Sequence, residues 1–246
     1  MIIGLIPARL KSSRLTNKPL LSLDGIPIVI HTLKRAQLCK NLNEVIVCAD
    51  SKKIIDIVKK YGGKAIKTRL QHKNGTERIA EVAKKIKKKI SLIIDIQCDE
   101  VFLKPNNIAK LINFHQKNNH FDIIVPHTEI YQEKNKSVVK ILKKDNNVIY
   151  MSRLDIPFNY YNKKELPLLR HMDIISFKPK ALIKFSKLKS SRIEKIENIE
   201  LLRAIENNFK IGTFLIKDNN FSINTKIDYI KAKKIMSKCK IRKLYK

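Results

Sequence analysis

The strongest constraint on the fold of this chain is the way its first hundred residues alternate short apolar runs with helical periodicity. Residues 2–6 read as a strand, 28–38 as a helix, 44–48 as a strand, and 52–61 as a helix closed by Gly62-Gly63. Residues 65–68 then read as a short strand, 76–86 as a helix and 92–97 as a strand. Strands joined through helices of this length form βαβ units, so a mostly parallel sheet covered on both faces is expected.

From about residue 122 the pattern changes. Residues 123–127, 137–142 and 148–152 read as strands, with a turn at Lys144-Asp145-Asn146-Asn147. Residues 174–177 and 210–216 read as further strands, and 180–185, 199–206 and 226–239 as helices. With no repeat and no Gly/Ser- or Pro-rich linker, the expectation is a single α/β domain over residues 1–246. Its mixed sheet is mostly parallel, with an inserted antiparallel hairpin region at about 122–178.

Composition decides which partners to expect. The 246 residues carry 52 Lys+Arg against 22 Asp+Glu, a net charge of +30. Only ten of the basic residues are Arg, whereas recognition that needs a planar fork favours Arg. Trp is absent and aromatic residues make up 7%, too few for base-stacking platforms. The excess reads as a solvated lysine coat, and no specific nucleic-acid partner is expected. Cys39, Cys48, Cys98 and Cys239 form no CxxC pair and no metal-ligand spacing, which suits unpaired thiols in a reducing compartment. No apolar stretch reaches the roughly 18 residues of a membrane span. The N-terminus meets Pro7 and Arg9 after one short run, so it reads as a buried strand and not a signal peptide. A soluble cytoplasmic protein without a membrane partner is expected.

Three segments can carry chemistry. Arg9, Arg14 and Lys18, with the hydroxyls of Ser12 and Ser13, follow the first strand, where parallel sheets form their ligand crevice. That set suits a triphosphate, although the Gly-rich cradle of a Walker loop is missing. In the segment His72 to Glu81, Thr76 serves equally as a helix cap or, with Gly75 and Arg78, as a nucleotide contact. Gln97-Cys98-Asp99-Glu100 ends an apolar strand. There Asp99 is a candidate Mg²⁺ ligand, and Asp99 and Glu100 are alternatively caps of the next turn.

Taken together and in order, these segments resemble the CMP-Kdo synthetase (3-deoxy-manno-octulosonate cytidylyltransferase) family. The opening phrase Pro-Ala-Arg-x-x-Ser-x-Arg-Leu-Pro-x-Lys-x-Leu is matched from Pro7 to Leu20, with Thr16 for the proline. His-x-Ser-Gly-Thr-Asp-Arg-x-Ala-Glu is matched from His72 to Glu81, with Asn74 for Ser and Glu77 for Asp. Gln-Gly-Asp-Glu-Pro is matched from Gln97 to Val101, with Cys98 for Gly and Val101 for Pro. Ser152-Arg153, Arg170-His171 and the stretch from Ile193 to Asn207 match later family segments, and six of the ten arginines fall in matching stretches.

The resemblance implies a Rossmann-like nucleotidyltransferase of the glycosyltransferase-A type, usually dimeric through the inserted part. By that likeness Arg9, Lys18 and Asp99 are catalytic, and Ala8, Arg9, Arg14, Lys18, Asn74, Gly75, Thr76, Arg78 and Gln97 bind the nucleotide. Arg153, His171 and Glu200 would bind the sugar acid, Arg153 as a bidentate clamp on its carboxylate. Asp99 and Asn224 would hold Mg²⁺. The implied reaction is attack of the anomeric hydroxyl of a Kdo-like sugar acid on the α-phosphorus of CTP. It releases pyrophosphate and yields a CMP-sugar for lipopolysaccharide synthesis.

The departures cluster near metal and sugar. Asn224 stands where the family carries a metal-binding Asp, with Asp228 as a nearby substitute, and Asp173 replaces a Gly. Cys98 is expected to press on backbone beside the nucleotide. A different sugar acid, or a nucleotide-binding relative with weakened catalysis, are the alternatives these changes suggest.

Overall fold

The structure, a computed structural model, describes residues 1–11, 15–131, 135, 137–161 and 166–245. It comprises two compact units, Met1–Ile112 with Asn220–Lys246, and Asn113–Asn219.

The first unit begins with β1 (Ile2–Ala8), then a small hairpin of β2 (Ser22–Leu23) and β3 (Ile26–Pro27) turning through Asp24 and Gly25, both at positive φ. It continues with α1 (Ile28–Gln37), β4 (Glu44–Ala49), α2 (Lys52–Lys60), β5 (Lys64–Lys67), α3 (Gly75–Lys85), β6 (Leu92–Ile96) and α4 (Pro105–Lys117). The strands lie in the order β5-β4-β1-β6, all parallel. β6 is buried throughout and β1 from Ile3 onward, which is why they read as unbroken apolar runs. The chain builds outward from β1 to β4 and β5 on one side, then returns to place β6 on the other. The sheet therefore switches direction between β1 and β6, and the crevice beyond their C-terminal ends is where such sheets bind ligands.

The second unit contains β7 (Ile123–Ile124), β8 (His127–Ile130), β9 (Lys140–Lys144), β10 (Asn147–Ser152), β11 (Leu168–His171) and β12 (Ile174–Phe177). Then follow α5 (Pro179–Phe185), α6 (Arg192–Glu197), α7 (Leu201–Glu206) and β13 (Ile211–Gly212). Its strand order is β12-β7-β13-β10-β9-β11-β8, antiparallel except between β13 and β7. The β9–β10 hairpin turns through Asp145 at φ 53°, as the turn residues there require. In the returning chain, α8 (Lys226–Met236) packs Ala232 and Met236 against Leu23, Ile28, Phe102 and Ile223.

The fold is α/β with parallel and inserted antiparallel parts, as expected, but several boundaries differ. The strand expected over 123–127 is broken into β7 and the start of β8, because Pro126 has no N–H for a ladder. The helix expected over 199–206 is α7, which starts two residues later at Leu201, and a further helix, α6, precedes it and ends where Asn198 turns left-handed (φ 52°). The strand expected over 210–216 is only two residues long, with one isolated bridge from His127 to Leu215.

Candidate functional site

The end of β1 is tied down from several directions. The Leu10 amide donates to Asp50 Oδ1 at 3.0 Å, and the Asp50 amide donates to the Ala8 carbonyl at 3.3 Å. Arg9, exposed just beyond, lies near enough to the Arg78 guanidinium to oppose its charge. Of the remaining loop residues, Ser12, Ser13 and Arg14 lie outside the described residues.

Lys18 opens a short 3₁₀ turn with Pro19 buried behind it. Its Nζ lies 2.5 Å from Asp99 Oδ2 and 3.0 Å from the Ile223 carbonyl, and both charged side chains are mostly shielded. The Ile223 amide in turn donates to the Asp99 carbonyl at 3.2 Å, so Asn224 follows directly on this junction. The loop after β1, the end of β6 and the returning chain thus meet at one lysine–aspartate pair. This is the switch point of the parallel sheet.

α3 supplies the third side. A Cβ on Gly75 would lie 3.1 Å from Pro7 Cγ and 3.9 Å from Gln97 Nε2, so this helix start lies against the ends of β1 and β6. Gln97 Nε2 donates to Asp95 Oδ2 at 3.1 Å. The cap of α3 is Asn74, whose Oδ1 accepts from the Glu77 amide at 2.9 Å, while Glu77 Oε2 accepts from Lys73 N at 3.0 Å. Thr76, read from the sequence as a possible cap, sits inside the first turn and is buried, because the helix already begins at Gly75. Amides at a helix start attract anions, and α3 directs this property to the end of β1.

Arg78 is 2% exposed. Its guanidinium donates to Thr68 Oγ1 and, at 3.1 Å, to the Arg69 carbonyl, and lies 3.7 Å from Asp50 Oδ2. Burial pulls its pKa below the usual arginine range, although Asp50 counteracts. Asp50 was not singled out from the sequence, yet, like Asp99, it is an acidic residue just beyond the C-terminal end of an apolar parallel strand. On α3 itself, burial raises the Glu81 carboxyl, but Lys85, the Arg69 amide and His72 outweigh it and hold the pKa at about 2.

Cys98 is 8% exposed, and its carbonyl accepts from Thr32 Oγ1 at 2.8 Å. Burial, with the Asp99 charge adding, pushes its thiol up to about 12, so the side chain fills space as a neutral thiol. Asp228 Oδ2 accepts from Asn224 N at 3.0 Å, Thr225 N at 2.7 Å and Thr225 Oγ1 at 2.9 Å, closing the capping box of α8. That oxygen is committed to the helix start. Asn224 Nδ2 donates to Ser222 Oγ at 3.3 Å. No group of three or more His, Cys, Asp or Glu with metal-binding geometry occurs among the described residues.

The three residues expected on the sugar side lie in the second unit. Arg153 directs Nε to the Glu197 carbonyl at 2.7 Å, one terminal nitrogen to the Asn198 carbonyl at 2.8 Å and the other to the Ser137 carbonyl at 2.8 Å. His171 ends β11 opposite His127, with Nδ1 3.6 Å from Asp173 Oδ1. Glu200 is the N-cap residue of α7. None of the described helices is long and apolar enough to cross a membrane.

The model of the family described as cytidylyltransferase matches residues 3–211. The chain is 35% identical to a 3-deoxy-manno-octulosonate cytidylyltransferase of Thermodesulfovibrio yellowstonii, covering 96% of this chain and 98% of that one. It is also 35% identical to the enzyme of the same name from Rickettsia canadensis, covering 93% of each. A solved CMP:2-keto-3-deoxy-manno-octonic acid synthetase complexed with CTP superposes with a TM-score of 0.91 at 29% identity, over 96% of this chain and 98% of that one. A 4-diphosphocytidyl-2C-methyl-D-erythritol synthase from Anaerococcus prevotii shares the fold at a TM-score of 0.63 and 18% identity, covering 96% of each chain.

Proposed function

The chain belongs to the cytidylyltransferase family, and on that premise we propose that it transfers CMP from CTP to the anomeric hydroxyl of Kdo. The observation that carries this reading is the Lys18–Asp99 pair at the switch point, closed by Ile223 and flanked by the start of α3. Arg9, Arg14 and Lys18 hold the triphosphate. Ala8, Asn74, Gly75, Thr76, Arg78 and Gln97 shape the nucleotide pocket, with Asp50 fixing Arg78 and the Leu10 amide in place. The sugar acid is taken by the second unit, through His171, Glu200 and the segment organised by Arg153.

The attacking hydroxyl oxygen forms its bond to the α-phosphorus as the bond to pyrophosphate breaks, and the hydroxyl proton passes to solvent. Little covalent chemistry falls to the protein, so positioning and charge supply the acceleration. The Lys18 ammonium offsets the negative charge gathering on the leaving pyrophosphate. Arg9 adds a second cation from the exposed side of the loop.

The donors at this junction suit Mg²⁺, which takes hard oxygens and needs only one or two carboxylates besides waters and phosphates. Asp99 and the amide oxygen of Asn224 would hold it. When bound, the ion neutralises phosphate charge and lowers the pKa of the attacking hydroxyl. We further assign the protein to the cytoplasm, where its CMP-sugar serves lipopolysaccharide synthesis. It acts there as a homodimer through the second unit, whose exposed Phe158, Tyr160 and Tyr161 support that assignment.

The test is to incubate the protein with CTP, Mg²⁺ and a panel of ulosonic acids and identify the CMP conjugate by mass spectrometry. The expected product is CMP-Kdo. Exclusive formation of another conjugate would overturn the choice of sugar, and no conjugate with any acid would overturn the activity.

A further inference from the structure

We propose that Lys140 and Glu197 are positioning residues for the sugar-acid side, acting through Arg153 on the turn that carries Glu200; the inference rests on the function proposed above. Lys140 is 1% exposed, on β9. Its Nζ donates to the Val138 carbonyl at 3.1 Å and to the Arg153 carbonyl, and lies 3.1 Å from Asp155 Oδ1. Three partners satisfy the three donors of an ammonium, the condition on which one can be kept this deep. Two of these partners, the Arg153 carbonyl and Asp155, lie directly after β10, so Lys140 fixes the backbone that follows that strand.

Glu197 closes the arrangement from α6. Its Oε1 accepts from Ser152 Oγ at 2.7 Å and its Oε2 from the Arg153 amide at 2.9 Å. The Nε and terminal-nitrogen edge of Arg153, the edge suited to gripping a carboxylate, is directed instead at the carbonyls of Glu197 and Asn198. Asn198 is left-handed, Ile199 is buried and Glu200 begins α7. The carbonyls gripped by Arg153 therefore stand two and three residues before Glu200 and hold the turn between the helices. Arg153 thus shapes the sugar side through main chain, and Lys140 and Glu197 hold Arg153.

The separating measurement is steady-state kinetics of pyrophosphate release, with the KM for each substrate and kcat determined for wild type, Glu197→Ala, Glu197→Gln and Lys140→Met. A small misplacement of a binding group costs on the order of tenfold or more. Glu197→Ala and Lys140→Met are expected to raise the KM for the sugar acid by about tenfold while the KM for CTP stays within about twofold. Glu197→Gln keeps an acceptor and is expected to recover most of the loss. Equal shifts in both KM values, no shift in either, or a Gln variant as impaired as the Ala variant would overturn the inference. Should Lys140→Met fail to fold, the two Glu197 variants decide it, because that side chain is only half-buried. If wild type turns over no sugar acid, the proposed function fails and takes the inference with it. If wild type is active and the variants match it, only the positioning role fails.

Discussion

Arg203→Met should cost the protein a large part of its stability. Arg203 on α7 is 1% exposed and forks onto Glu194 of α6, Nε to Oε2 at 2.8 Å and a terminal nitrogen to Oε1 at 2.5 Å. Its other terminal nitrogen donates to the Leu188 carbonyl at 2.8 Å, and the guanidinium lies 5.1 Å from the centre of the Phe185 ring. Glu194 also completes the capping box with Ser191, so one carboxylate serves both the start of α6 and the link to α7. Removing Arg203 leaves a carboxylate that is 7% exposed without its cation, and breaking a buried pair from one side costs about 3–5 kcal/mol. The unfolding entropy near the midpoint is roughly 2.1 cal/mol/K per residue, or about 0.5 kcal/mol/K for a chain of this length. The melting temperature should therefore fall by about 6–10 °C, read by calorimetry. Glu194→Met combined with Arg203→Met removes both charges, and a packed apolar pair often matches a buried ion pair. The double variant should recover most of the loss. A single-variant cost under about 1 kcal/mol, or a double variant no better than the single, would refute this account of the pair.

Three further outcomes follow from the geometry. His31, His115 and His127 are each held near pKa 4, chiefly by burial. Their folded values lie below the ordinary 6.5, so the stability they contribute is present above pH 6.5 and is lost as pH falls toward 4. Urea unfolding at fixed pH values should show this decline, and a flat profile over that window would contradict it. Asn224→Asp should tighten Mg²⁺ binding by about tenfold in calorimetry, because it adds a second charged oxygen beside Asp99; unchanged affinity would remove Asn224 from the metal assignment. Gly212→Ala would bring a Cβ to 2.6 Å from Ile124 and 2.7 Å from the Phe121 ring, an overpacking expected to cost about 1–3 kcal/mol or more. A loss below about 0.5 kcal/mol in denaturant unfolding would argue against that packing.

The parallel half of the fold was legible because its central strands β1, β4 and β6 are almost wholly apolar and α1, α2 and α3 show helical periodicity. Residues 28–38 became α1, Ile28–Gln37, and residues 92–97 became β6, Leu92–Ile96, within a residue at each boundary. The inserted half was less legible. Its strands are short, and β10 alternates exposed and half-buried positions, so register depends on partners that are distant in sequence. β11 escaped notice because Leu168–His171 has two apolar and two basic residues, which carry no period. α4 escaped although Pro105 stands at its first position and Ile108, Leu111 and Ile112 follow at helical spacing.

At the candidate site, Lys18 and Asp99 were legible as two motifs that the family resemblance brought into one catalytic set, but their direct ion pair was not. It depends on the crossover that sets β6 beside β1. Asn74 and Glu77 stand three apart, a spacing that marks a helix start and identifies Asn74, not Thr76, as the cap. The carbonyl partners of Arg153 lie 16 to 45 residues away, beyond the reach of any local pattern.

The most direct measurement is the rate of pyrophosphate release from CTP and Kdo with Mg²⁺, compared between wild type and Asp99→Asn. The account predicts turnover by wild type and a loss of at least about a hundredfold in kcat for the variant, with the fold intact by circular dichroism. An Asp99→Asn enzyme as fast as wild type would contradict it.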